Sequence, residues 1–404
     1  MEYPPWQSSE ERSGKYTPRK PWDEPLYQLI YQYREELEYK WDELFFEKYG
    51  HLRPEVIDAF DRFLNCGILR HGCARAQCQK CNNSILIAFS CKRRGLCPSC
   101  SAKRALLFAE NMHENVLLPY PHRHLTFTIP KRLRVYFRYD RKLLSQLYKA
   151  AWDAIREIIQ SEFPDGTPGC VMALHTWGNL LNWHPHLHCI ALNGAMSPDG
   201  MFLPIDSIDT ELLSEYFAEN VYSFLLKAEL ISLETASNMK SWQHSGFHVH
   251  AAKEIDAYDE NARLYLARYL KKSPLTNERL RINNNGIVPV VEYHYGKNEN
   301  RITKTFSPLE FLAELSLHTP RVFEQTYRMY GEYSPRTRGK RPREERHRQF
   351  IENNYQELEY EPPPRGVSAN WARCIKRVIL WHVRDAGIRW KSLPLYKTVK
   401  KIKR

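Results

Sequence analysis

The chain has 404 residues, 43% of them hydrophobic, and a formal net charge of +12. That length and apolar content exclude a wholly disordered polymer and point to two or three domains with their own cores, and the excess of 59 Lys and Arg over 47 Asp and Glu favours a polyanion, most commonly nucleic acid, as partner. No apolar run reaches the roughly 18 residues of a membrane helix, and the N-terminus has no apolar signal core, so neither a membrane span nor secretion is expected.

Residues 1–24 read as a polar, Pro-bearing arm. LYQLIYQYREELEYKWDELFF and, after a break at Gly50 to Pro54, PEVIDAFDRFL carry helical periodicity. Gly67 reads as a stop. A cysteine-rich module fills 66–102 and AKRALLFAENMHENVL leads out of it as a helix. HLTFTI reads as a strand, and DRKLLSQLYKAAWDAIREIIQSEF as a long amphipathic helix with Asp140 as N-cap. CVMALHTW and HLHCIAL read as two strands of a hairpin centred near residue 181. Residues of about 205–240 look like a helical insertion. GFHVHAA reads as a strand, ENARLYLARYLKK as a helix, and LRINNNGIVPVVEYHY as a hairpin turning at Asn285-Gly286. SPLEFLAELSLH closes the series, capped by Ser307. Beyond Tyr333 the composition turns basic and Pro-containing. The expected units are thus 1–24, a helical and Cys-rich module at 25–115, an α/β domain at 116–332, and a tail at 333–404.

Seven of the ten cysteines fall between Cys66 and Cys100. Such clustering suits metal binding in a reducing compartment better than disulfides. Cys78-x2-Cys81 and Cys97-x2-Cys100 have the spacing of two knuckles closing one tetrahedral zinc site. Cys66, Cys73 and Cys91 either form a second site, replace one of those four, or are small buried residues. From Arg62 to Ala109 there are nine Lys or Arg and no Asp or Glu, so the module presents a one-sign surface suited to DNA phosphates, with Lys92, Arg93 and Arg94 the local candidates.

In NWHPHLHCIALNG, alternation on a strand puts His186 and His188 on one face, with Leu187 turned the other way. Two imidazoles on one face can share a cation. A third ligand must come from elsewhere: His175, on the preceding strand, or His184, which precedes Pro185. The alternative is a set of solvent-facing histidines. Downstream, Tyr265 and Tyr269 lie four apart on one helical face among Arg268, Lys271 and Lys272. That is the setting a tyrosine nucleophile attacking a phosphodiester requires, although a bare YxxxY is also what an aromatic core stripe looks like.

Together these motifs resemble one family. The HxH strand, the YxxxY helix, the N-terminal zinc module, and the segments PHRHLTFTIPKRLRVYFRYDRKLL, HTWGNLLNWHPHLHC, RYLKKSP and HTPRVFEQTYRMYGEYSPRTRG are similar to the two-tyrosine HUH transposases of the insertion-sequence-ninety-one type, over residues 30 to 340. The resemblance implies an α+β fold: an HUH nuclease domain, with an antiparallel sheet, flanking helices and a ferredoxin- or RRM-like core, behind a helical zinc-binding module. It implies Mg2+ or Mn2+ held by His186 and His188, with His175 completing the site. It further implies structural Zn2+, and attack by Tyr265 or Tyr269 on single-stranded DNA to leave a 5′-phosphotyrosine link and a free 3′-OH. The implied partners are hairpin-bearing element ends and target DNA, with Trp177 and Trp183 as stacking candidates and no nucleotide cofactor or membrane. The implied place is the bacterial cytoplasm, on the nucleoid when DNA-bound. One departure is the tail, where a further Cys-x2-Cys is common in the family and only Cys374 occurs here. Rival readings are another HUH enzyme, a replication initiator or relaxase, and a zinc-dependent DNA-binding protein without catalysis.

Overall fold

A computed structural model describes residues 19–77, 84–296, 301–340 and 401–402. Most of the expected arm, residues 1–18, and most of the tail, 341–400 with Cys374, lie outside the described residues. The N-terminal part comprises α1 (Pro25–Leu44), α2 (Phe46–Tyr49), α3 (Pro54–Leu64), the antiparallel hairpin β1 (Cys73–Gln77) and β2 (Ser84–Ala88), and α4 (Pro98–Asn115). Helices α1 and α3 each begin with Pro at the first position, where the missing N–H is no loss. Leu26, Leu29, Ile30, Leu37 and Trp41 of α1 and Val56, Ala59, Phe60 and Phe63 of α3 form the apolar stripes that the 3.6-residue period predicts.

The central part runs β3 (His122–Thr128), α5 (Arg134–Tyr139), α6 (Leu144–Glu162), β4 (Gly169–Trp177), β5 (Trp183–Leu192), the small pair β6 (Gly194–Met196) and β7 (Phe202–Pro204), α7 (Thr210–Lys227), α8 (Leu233–Lys240), β8 (His248–Ile255) and α9 (Glu260–Tyr269). Then follow β9 (Leu280–Asn283), β10 (Val290–Tyr295), β11 (Ile302–Phe306), α10 (Pro308–Ser316), β12 (Tyr327–Gly331) and α11 (Pro335–Lys340). The main sheet has the order β12-β4-β5-β3-β8, antiparallel throughout. Taking β3-α6-β4-β5-α7-β8 in sequence gives the β-α-β-β-α-β arrangement of a ferredoxin-like core, with β12 added at one edge. The fold is α+β.

Alternation divides the sheet into two faces. Leu125, Phe127, Met172, Leu174, Leu187 and Cys189 face α6 and α7. Val171, Ala173, Ile190 and Leu192 face α4 and α9. The segment expected as an insertion is therefore integral: α7 buries Leu213, Phe217, Val221 and Leu225 against the first face. Its sequence reads as an insertion because nothing local shows which sheet face a second helix covers. Truncating Phe217 to Ala is expected to lower stability by about 3–5 kcal/mol, while Leu233→Ala, at 77% exposure, changes it by under about 0.5 kcal/mol; urea unfolding measures both.

Two further expectations are revised. The β9–β10 register pairs Asn283 with Val290, which leaves 284–289 as a six-residue connection and not a two-residue Asn-Gly turn. The Asn283 side chain accepts from Asn285 N–H at 3.0 Å, an Asx turn that starts the reversal two residues early. Nor is the N-terminal module self-contained. Leu26, Trp41, Phe60 and Phe63 share one core with Leu280, Val291, Tyr293 and Phe311, so α1 and α3 pack against the β9–β11 sheet and α10. Among the described residues no helix is long and apolar enough to cross a membrane.

Candidate active site

The β4–β5 register sets His175 opposite His186, and alternation places His188 on the same face two residues on. The ligand atoms of His175, His186 and His188 all lie within 4.8 Å of one another. His184 is not in this group; its carbonyl accepts from His186 Nδ1 at 2.7 Å. That bond fixes the tautomer and turns the Nε2 lone pair of His186 inward. The Nδ1 of His188 is likewise engaged by Thr126 Oγ1 at 3.2 Å and by His124 Nε2 at 3.1 Å. His175 donates from Nε2 to the Leu270 carbonyl at 3.3 Å, which leaves Nδ1 as its free atom.

The Nε2 atoms of His186 and His188 face each other at 3.1 Å, within hydrogen-bond distance. Two lone pairs so placed repel unless a proton or a cation lies between them. Ligand bonds of roughly 2.0–2.1 Å at right angles would put donor atoms about 3 Å apart, so the pair suits a shared divalent cation. Burial pushes the pKa of all three histidines below the usual value, most strongly for His175 and His188, where neighbouring imidazoles add to the effect. Neutral imidazole is the form that binds metal. Outer hydrogen bonds that orient ligands are a normal part of such sites. Sequence reading missed His124 and Thr126, whose only signal is the pairing of β3 with β5.

Helix α9 is held at its start and along its buried face. Asp259 caps its start by accepting from Ala262 N–H at 2.9 Å, and Leu266, Ala267 and Leu270 pack beside Phe108, Ala109 and Met112 of α4. Arg263, also missed, is buried and donates to the carbonyls of Ala257 and Leu118 at 2.7 and 2.9 Å. This packing brings Tyr269, the last residue of the helix, onto the histidines. Its ring stands edge-on to His188 with centroids 4.9 Å apart, and lies 6.0 Å from His175 and 5.8 Å from His124. Lys272 Nζ is 5.0 Å from the Tyr269 ring centroid. Burial raises the Tyr269 pKa, with smaller contributions from Tyr295 and Tyr265. Tyr265, one turn earlier, is 40% exposed.

The sulfurs of Cys66, Cys91, Cys97 and Cys100 form a second cluster. Cys66 lies 3.8 Å from Cys97 and 3.5 Å from Cys100, and Cys91 lies 3.6 Å from Cys100. Tetrahedral Zn–S bonds of roughly 2.3 Å imply sulfurs about 3.8 Å apart, so the quartet fits zinc. Backbone N–H groups of Cys91 and Arg93 donate to the sulfurs of Cys66 and Cys91 at 3.3 and 3.5 Å. Cys97 occupies the N-cap position of α4 and Cys100 lies in its first turn, where the helix dipole favours thiolate. The expected partners Cys78 and Cys81 lie outside the described residues, and Cys73, on β1, is not in the quartet. Cys66 and Cys91 carry no knuckle spacing; the turn after α3 and the chain after β2 bring them in.

Among the basic candidates, Lys92 is exposed, with φ at +55°. Arg93 pairs with Asp58 at 2.8 Å. Arg94 donates to the Glu324 carbonyl and, at 3.3 Å, to that of Arg321, which ties the zinc module to the segment before β12. Arg268 lies in the last turn of α9, Lys272 follows three residues after its end, and Lys271 Nζ sits 3.7 Å from the centroid of the Tyr327 ring. Trp177 stacks on His175 at 4.4 Å. Trp183 is committed to the fold: Nε1 donates to the Arg134 carbonyl at 2.9 Å, and Arg141 covers its ring at 5.3 Å.

Two family models match the chain in succession. One described as "Transposase zinc-binding domain", named for IS91, matches residues 37–129, and one described as "Putative transposase" matches 169–341. The chain is 27% identical over 329 residues to the transposase for insertion sequence element IS801 of Pseudomonas savastanoi pv. phaseolicola, covering 78% of this chain and 77% of that protein. It is 28% identical over 280 residues to "Putative transposase y4qJ" of Sinorhizobium fredii, covering 63% and 68%. No solved structure matches it significantly. With a transposase zinc-binding domain ahead of the transposase domain, the chain belongs to the IS91 family of transposases, and its partner is DNA.

Proposed function

We propose that this transposase cuts and rejoins single-stranded DNA at the ends of its element through a 5′-phosphotyrosine intermediate, in rolling-circle transposition. The observation that carries the reading is the seating of Tyr269 against His188 and His175 at the end of α9. In this reading His175, His186 and His188 hold Mg2+ or Mn2+, which when bound polarises the scissile phosphate and stabilises the departing 3′ oxygen. Tyr269 attacks phosphorus. As its Oη–P bond forms, the P–O3′ bond breaks, and the phenolic proton is given up to water while the 3′ oxygen is protonated. Lys272 draws the phosphate toward the phenol. Tyr265, exposed one turn away, serves a second cleavage while the first link persists, so strand transfer needs neither ATP nor a double-strand break. Zinc belongs at Cys66, Cys91, Cys97 and Cys100, and the surrounding basic surface reads hairpin-bearing ends.

The test is a denaturing gel of the full chain incubated with labelled single-stranded element-end DNA and Mg2+. A labelled, protease-sensitive adduct migrating with the protein is expected. Tight binding without any adduct would leave a DNA-binding protein and sink the catalytic reading.

A further inference from the structure

A cleft opens beside the histidine cluster, between the zinc module and the tyrosine helix. His175 and Leu270 line it, and so they border both the cleft and the cluster. Its charged walls come from three directions: Arg94 and Arg104 from the zinc module, Lys271 and Lys272 from the end of α9, and Arg141 with Glu324 from the sheet side. Five cations thus meet one carboxylate. That carboxylate is already used, because Arg141 holds Glu324 by a bidentate pair at 2.7 and 2.9 Å. Arg94 is engaged with backbone carbonyls. Arg104 donates one Nη2 bond to the Lys92 carbonyl at 2.6 Å, and Lys271 reaches, among the described residues, the Thr326 hydroxyl at 3.3 Å and the faces of Tyr327 and Phe108.

Desolvation, with the charges of Arg104 and Arg94, pulls the Lys271 pKa down to about 7. A fold that gathers like charges in a desolvated cleft is destabilised by them unless an anion enters. Only a chain with repeating phosphates brings one anion to the histidines and another to this cleft at once. We infer that the cleft is a phosphodiester subsite for the single DNA strand, in which Lys271 and Arg104 hold a phosphate neighbouring the scissile one. The zinc module is then one wall of the catalytic groove as well as a reader of element ends. This rests on the single-strand cleavage reading.

The experiment measures binding of a fluorescein-labelled single-stranded oligonucleotide of mixed sequence to the full chain by anisotropy across a salt series. The Tyr265→Phe/Tyr269→Phe background prevents covalent capture. Lys271→Met and Arg104→Met are each expected to weaken binding about five- to tenfold and to lower the salt slope by about 0.7. Lys240→Met, paired with Glu219 on the opposite face of the sheet, leaves both unchanged. Lys271→Arg restores most of the affinity, which separates charge from packing against Tyr327. A scan of single methylphosphonate linkages finds one position whose penalty disappears in Lys271→Met. Unchanged slopes, or an equal drop in Lys240→Met, overturn the subsite. Adduct formation by the unmodified chain is scored separately on single-stranded element-end DNA: its absence alongside the binding losses removes the catalytic reading and leaves the cleft as a site for strand phosphates alone.

Discussion

Tyr269→Phe is expected to reduce the first strand cleavage to below about a thousandth of the unmodified rate, because the substitution removes the attacking oxygen and nothing else. Tyr265→Phe is expected to leave that step within about threefold and to abolish only strand transfer, which needs a second nucleophile. The asymmetry follows from position. Tyr269 is packed on two of the three histidines, and Tyr265 is 40% exposed one turn away. His186→Ala and His188→Ala should match Tyr269→Phe in cleavage while retaining oligonucleotide binding in metal-free buffer within about threefold, since burial lowers the pKa of both rings and so disfavours their charged forms. Single-turnover cleavage of an end-labelled strand resolves all four variants. If Tyr265→Phe were the variant that stops the first cut, the seating of Tyr269 would be a packing feature and not the reactive geometry.

The histidine face was readable in the sequence to the extent that its geometry is local. Strand alternation puts His186 and His188 on one side, and a hairpin centred near 181 sets His175 across from them; the structure pairs His175 with His186 and Trp177 with Trp183. What sequence could not show depends on non-local pairing. His124 and Thr126 reach His188 because β3 lies beside β5 in the sheet, some sixty residues away along the chain. The role of α7 was hidden for the same reason, since amphipathic periodicity shows that a helix has a buried face but not what it covers. The cysteines differ again. Knuckle spacing marks thiols already close along the chain, whereas Cys66 and Cys91 join Cys97 and Cys100 through turns that carry no spacing rule. Arg94 read as a phosphate contact from its neighbours Lys92 and Arg93, yet its guanidinium joins two parts of the fold.

Cys91→Ser is expected to weaken zinc binding by more than about 100-fold, since even outer partners of a metal ligand are worth about 10- to 100-fold, and to lower stability by at least about 3 kcal/mol. Cys66→Ser should do the same, and Cys73→Ser should do neither. Zinc released to a chromophoric chelator after denaturation gives the occupancy, and thermal melting gives the stability. The effect should not stop at the cysteines. Cys97 and Cys100 anchor the first turn of α4, and that helix carries Phe108, Ala109 and Met112 onto Leu266, Ala267 and Leu270 of the tyrosine helix. Loss of the quartet therefore loosens the support that seats Tyr269. Hydrogen exchange at the α9 amides should quicken in Cys91→Ser and under chelation, ahead of exchange in β4 and β5, which are buried on both faces. Equal zinc content in Cys91→Ser and Cys73→Ser would rule out this quartet as the ligand set. Unchanged exchange in α9 after zinc loss would separate the module from the tyrosine helix.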